Sequence, residues 1–199
     1  AARLHRPPGP LRACALFAHC FTCGKDLRAA REIAQALATR GIATLRFDFT
    51  GLGESAGEFA DTTFSSNVDD LVAAADWLRQ EHEAPSLLIG HSLGGAAVLA
   101  AAHRIEEARA LVTLGAPADP AHVRALFREH HEAIDARGEA EVVLAGRPFR
   151  IKKAFLDDLV TQCAAERIAA LERALLVFHS PQARTVGIDN ARRIFEAAR

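Results

Sequence analysis

At 199 residues, half of them hydrophobic, the chain is long enough for one domain with a sizeable core. Its 24 basic and 25 acidic residues leave a net charge of −1 and no basic stripe interleaved with aromatics, which argues against a nucleic-acid partner. The longest apolar run, Gly94 to Ala102, is too short for a membrane partner, Arg3 and Arg6 precede no apolar signal region, and four cysteines without framework spacing suit a reducing compartment, so the expected setting is cytoplasmic.

Short apolar runs bounded by turn residues alternate with helical periodicity, which predicts an α/β fold: a mostly parallel sheet with helices on both faces. "AARLH" reads as the tail of a strand whose partner lies upstream. With no methionine anywhere, even at position 1, the expectation is a processed chain or a fragment cut at both ends. A strand is expected over Arg12 to Ala18, followed by a helix from Asp26 to Thr39 with Leu27, Ala30, Ala34 and Leu37 on one face and Gly41 as its stop. The next strand, Ala43 to Phe49, runs into "GLGESAG". Its glycines Gly51, Gly53 and Gly57 mimic a dinucleotide fingerprint, but "EFADTTFSS" separates them from the next helix, so they read as a turn carrying Asp48 and Ser55. That helix, Ser66 to Glu81, places Val68, Leu71, Val72, Ala75 and Leu78 on one face and Asp69 and Asp70 in its first turn.

A strand at Ser86 to Ile89 and a helix apolar on nearly all sides from Gly94 enclose "GHSLG". Gly90, Ser92 and Gly94 fit the G-x-S-x-G elbow, in which a serine on a strained strand-to-helix turn needs glycine two positions to either side. Ser92 is therefore the candidate nucleophile; the competing reading is a glycine-rich turn with an incidental serine. Its oxyanion hole is expected from the N–H groups of Leu93 and Phe21. His19, in the loop before Phe21, reads as a structural histidine bonding loop backbone. Cys20 and Cys23 lie between a strand and a helix, the context of a redox dithiol. No second C-x-x-C accompanies them, so no metal site is expected, and Cys163 reads as a small core residue.

After the strand Ala110 to Leu114, residues 118–172 interrupt the alternation with a charged helical stretch, a hairpin "EVVLAGRPFRI" and amphipathic helix. This insertion reads as a lid or as packing decoration within a single domain spanning residues 1–199. A strand at Ala174 to Phe178 and a helix N-capped by Asp189, with Ala191, Ile194, Phe195 and Ala198 inward, close the chain.

"HCFTCGKDL", "LRFDFTGLGESAGEF", "PSLLIGHSLGGAAVLAAAH" and "GIDNARRIF" together resemble the α/β-hydrolase superfamily. More narrowly, they resemble the bacterial α/β-hydrolase domain fused to an OsmC-type domain. The resemblance implies an eight-stranded sheet, serine chemistry on a small-molecule or peptide ester, thioester or amide, no metal or organic cofactor, and a triad in the order serine, acid, histidine. It also implies an OsmC-type domain C-terminal in the parent protein. The expected acid position holds Ala183, and no histidine before Arg199 stands at the family's place; His103, His122, His130, His131 and His179 all fall elsewhere. Asp119 and Asp189 are substitute acids that read equally as a turn or helix cap. Two alternatives to the hydrolase follow: a binding or structural domain with an incomplete triad, and a Cys20–Cys23 thiol redox protein.

Overall fold

The computed structural model describes residues 1–144 and 146–198. Ala145 of the expected hairpin and Arg199 of the expected last helix lie outside the described residues. The order is β1 (Ala2–His5), β2 (Ala13–Ala18), α1 (Arg28–Ala38), β3 (Ile42–Phe47), α2 (Phe64–Glu81), β4 (Pro85–His91), α3 (Leu93–Ala101) and β5 (Ala110–Leu114). The inserted segment follows as 3₁₀ turns over Pro120–His130, α4 (His131–Arg137), the hairpin β6 (Glu139–Leu144) and β7 (Arg147–Lys152), α5 (Lys153–Leu159) and α6 (Ala164–Ala169). The chain then returns to the main sheet with β8 (Ala174–Phe178) and ends in α7 (Asp189–Ala197).

Six strands form the main sheet in the order β1-β3-β2-β4-β5-β8, parallel except at β1. β1 runs antiparallel to β3, with Ala2 opposite Phe47 and His5 opposite Thr44, and stands at the edge of the sheet. Pro7, Pro8, Gly9 and Pro10 break regular structure between β1 and β2, so the chain turns and places β2 on the other side of β3. On one face of the sheet Ala15, Phe17 and Ile89 pack against Ala30 of α1. On the other, Leu16, Leu45, Leu88 and Leu111 share the main core with α2, α3 and the insertion. α3 is buried on nearly every side, as its uniform apolarity requires.

Three helix expectations are corrected. α2 begins at Phe64 because Thr63 and Ser66 form a capping box (Ser66 N–H to Thr63 Oγ1, 3.1 Å; Thr63 N–H to Ser66 Oγ, 2.9 Å). That leaves Asp69 and Asp70 beyond the first turn, where Asp70 accepts from Thr50 N–H at 2.8 Å and Asp69 pairs with Arg104 at 2.6 Å. Asp189 is a first-turn residue of α7 and not its cap, because Ile188 already has helical dihedrals. Phe195 does not face inward but is 60% exposed. The buried stripe is Asn190 and Ile194, and the Asn190 carboxamide fixes the rotation by accepting from Ala118 N–H at 3.0 Å. Cys163 is likewise no core residue: it is exposed, at a left-handed turn before α6.

Among the described residues no helix is long and apolar enough to cross a membrane. Among the described residues β8 has a main-sheet partner only on its β5 side, and Leu176 and Phe178 are about half exposed.

Candidate active site

A strand entering a helix through a single residue forces that residue into unusual geometry. Ser92 has φ 53° and ψ −124°, a region that costs a non-glycine residue about 1–3 kcal/mol. Its surroundings hold it there: Ser92 N–H donates to Leu114 carbonyl at 2.9 Å, and its own carbonyl accepts from Gly95 N–H at 2.8 Å. The flanking glycines leave no room for a side chain. A Cβ on Gly90 would lie 2.3 Å from the Gly94 carbonyl oxygen, and one on Gly94 would lie 2.4 Å from that of His19. The glycine spacing thus marks a true close approach of strand and helix at this turn.

Ser92 lies at the C-terminal edge of the sheet, in a cleft of about 970 Å³. Cys20, Phe21, His91, Phe178 and His179 line it from the ends of β2, β4 and β8, where an open α/β sheet presents its ligands. The Ser92 hydroxyl has no hydrogen-bond partner among the described residues. The N–H groups of Phe21 and Leu93 also lack acceptors there: Leu93 opens α3, whose first-turn donors have no intrahelical partner.

The loop carrying Phe21 is fixed at three points. The first is His19, fully buried. Its Nδ1 donates to the Cys20 carbonyl at 2.7 Å, and its Nε2 accepts from Phe49 N–H at 3.3 Å, which makes it the structural histidine the sequence suggests. The second is Lys25, whose backbone N–H and ammonium both donate to Asp48, at 2.6 and 3.0 Å, while its ammonium also pairs with Glu54. Hydrogen bonding to Glu54, ahead of that to Asp48, raises the Lys25 pKa against its burial. Burial pushes the Asp48 carboxyl up, but N–H donation from Glu54 and Lys25 and the Lys25 ammonium outweigh it and hold Asp48 below the usual carboxylate range. Gly53 has φ 58°, and a Cβ there would meet the Asp48 carboxylate at 2.4 Å, so the "GLGES" turn exists to wrap Asp48. The third is the Phe21 ring, packed against Phe59, Phe127, Phe149 and Phe155 with centroids 4.8–6.2 Å away. Three of those rings belong to residues 118–172, so the insertion is a packed roof over this loop, with Leu126 and Leu144 lining the cleft.

Burial lowers the His19 pKa. Between that value and the unfolded one near 6.5, the unfolded chain binds a proton the native chain refuses, so this stability is complete above about pH 6.5 and falls on acidification at up to ~1.4 kcal/mol per pH unit. His91, also lowered by burial, adds the same sign. Urea midpoints at pH 7.5 and 5.5 are expected to fall with pH, with a shallower fall in His19→Gln; a midpoint that rises on acidification contradicts this.

The remaining candidates separate from Ser92. Asp119 caps the 3₁₀ turns by accepting from Ala121 N–H at 2.8 Å, and Asp189 is exposed on α7. His103, His122 and His131 are not among the cleft-lining residues and bond to the carbonyls of Arg167, Thr185 and Arg124. Ala183 does line the cleft, and among the described lining residues none is a carboxylate. His179 also lines it; its Nε2 lies 2.7 Å from the Val186 carbonyl, and its buried Nδ1 has no partner among the described residues. Cys20 and Cys23 form a disulfide, with Cα atoms 5.2 Å apart. A feature sequence spacing did not reveal is that a ring nitrogen of His91 and both of these sulfurs lie within 4.8 Å of one another. The two parts are 68 residues apart, and only the pairing of β2 with β4 unites them.

A family model for serine aminopeptidase S33 matches residues 11–135, which hold both the loop and the elbow. The chain belongs to this α/β-hydrolase family. The chain is 52% identical to the esterase domain of a Rhodothermus marinus protein, covering 100% of this chain and 78% of that one with a TM-score of 0.78. It is 35% identical over 102 residues to the mouse mitochondrial palmitoyl-protein thioesterase ABHD10, a match spanning 50% of this chain and only 33% of that protein's length. Est1E from Butyrivibrio proteoclasticus, solved with ferulic acid, shares the fold at 22% identity and TM-score 0.84, covering 99% of this chain and 81% of that one.

Proposed function

We propose that this hydrolase cleaves a carboxylic ester or thioester through an acyl-enzyme at Ser92. The observation that carries the reading is the strained Ser92 in an open cleft that Phe21 also lines, with the Ser92 hydroxyl and the Phe21 and Leu93 N–H groups all without partners among the described residues. Ser92 Oγ adds to the substrate carbonyl, and the Phe21 and Leu93 N–H groups stabilise the oxyanion of the tetrahedral intermediate. Collapse expels the alcohol or thiol, and water then releases the acid. The relatives' printed activities, an esterase domain and a thioesterase, favour esters over the amides that the family description would suggest. The half-apolar cleft wall of Leu126, Leu144 and Phe178 suits an acyl chain or aromatic acid.

A fluorophosphonate probe is expected to modify one residue, and peptide mass mapping should place the adduct on Ser92. Labelling that persists in Ser92→Ala refutes the assignment. A second reading has support from one observation: among the described residues the cleft is lined by Ala183 and by no carboxylate that could orient an imidazole. Under that reading the chain binds acyl compounds without turning them over, and the probe leaves Ser92 unmodified.

A further inference from the structure

We propose that Cys20, Cys23 and His91 form a zinc site that the Cys20–Cys23 disulfide closes and its reduction opens. Two sulfurs and a ring nitrogen already lie within 4.8 Å of one another. In a tetrahedral site with zinc–sulfur bonds of about 2.3 Å and zinc–nitrogen bonds of about 2.0–2.1 Å, such atoms stand roughly 3.5–3.8 Å apart. The sulfurs therefore need only separate from bonded contact, and the turn that carries them, closed by Cys23 N–H donating to the Cys20 carbonyl at 3.1 Å, presents both on one side.

His91 supplies the third ligand from a different element, the last residue of β4. Its buried Nδ1 has no hydrogen-bond partner among the described residues, unlike the neighbouring loop histidine, His19, which uses both ring nitrogens. Two thiolates and a neutral imidazole favour a thiophilic divalent ion, and their charge cancels that of zinc in a partly buried position. Of the other cysteines, Cys14 is buried in β2 and Cys163 is exposed on the insertion, and neither joins the cluster.

The chemistry balances with a dithiol reductant. The Sγ–Sγ bond breaks as two electrons and two protons pass from the dithiol, which closes to its own disulfide. Zinc then binds both sulfurs and displaces two protons to solvent. Cys20 and His91 line the same cleft as Ser92, so the ion sits in its wall. On the reading of Ser92 as nucleophile, zinc slows ester hydrolysis by the reduced protein and leaves the oxidised protein unaffected.

The test is a cobalt(II) titration of the full chain, reduced with a phosphine and desalted under argon, followed by displacement with zinc. Reduced protein is expected to show thiolate-to-cobalt charge-transfer absorption saturating at one equivalent, abolished by equimolar zinc, and oxidised protein none. Cys163→Ser should behave as wild type, whereas Cys23→Ser and both His91→Ala and His91→Gln should bind at least about tenfold more weakly. Metal-free melting curves of all variants confirm that each is folded. The site is refuted if the reduced protein gives no band, if the band survives either His91 substitution unchanged, or if Cys163→Ser removes it. Because the titration needs no turnover, failure of the metal site and failure of the nucleophile assignment are read separately.

Discussion

Ser92→Ala is expected to lower kcat/KM toward an activated ester by about 10³-fold or more while leaving the melting temperature within a degree or two, since acyl transfer loses its acceptor atom and no structural hydrogen bond is lost. Stopped assays on purified protein measure it, and equal rates for wild type and variant would sink the acyl-enzyme reading for this chain. Ser92→Gly gives a complementary result. Glycine adopts φ 53° without penalty, so the variant should be as inactive as alanine yet more stable than wild type by about 1 kcal/mol, net of its added unfolded-state entropy. A stabilised, inactive variant would demonstrate that the strain at this position is maintained for activity.

Asp48→Ala is expected to be the most destabilising substitution in the network that anchors the Phe21 loop, at about 3–5 kcal/mol. The carboxylate is nearly inaccessible and answers two backbone N–H groups and the Lys25 ammonium; removing it leaves those donors buried, although Glu54 continues to pair with Lys25. The same group sets an acid limit. Its folded pKa lies below the unfolded value near 3.9, so its stabilisation is present above that pH and is lost as pH falls from there through the folded value. Asp48→Asn should remove that part of the acid dependence at smaller cost, because it keeps the size and one acceptor. Urea unfolding at pH 7 and pH 3 separates the two variants, and a loss under about 1 kcal/mol for Asp48→Ala at pH 7 would show that Glu54 alone suffices for Lys25.

The parts of the site that were legible in the sequence are those in which local geometry dictates residue type. Gly90 and Gly94 signal the elbow because contact distances permit nothing larger, and β5 and β8 occupy the residues their apolar runs indicate. Where an outcome depends on pairing across the chain, local pattern was insufficient. β1 pairs with β3, a strand about 40 residues later in the chain, and the rotation of α7 was decided by one carboxamide reaching Ala118, which turned Phe195 outward. The approach of His91 to the disulfide belongs to the same class, since no spacing within either segment encodes it. The insertion was ambiguous for a further reason: its three phenylalanines look like ordinary core residues until Phe21 is found among them.

The clearance at Gly94 also bears on motion. With the Ala18 and His19 carbonyl oxygens 2.5 and 2.4 Å from where a Cβ would stand, the start of α3 and the start of the Phe21 loop share a boundary without slack. A displacement of either is passed to the other within a fraction of an ångström, so the two N–H groups of the proposed oxyanion hole travel as one rigid body. The cleft can therefore breathe only from above, through the roof and the segment after β8. Substitutions there are free to reshape what the cleft admits without loosening the alignment of its floor.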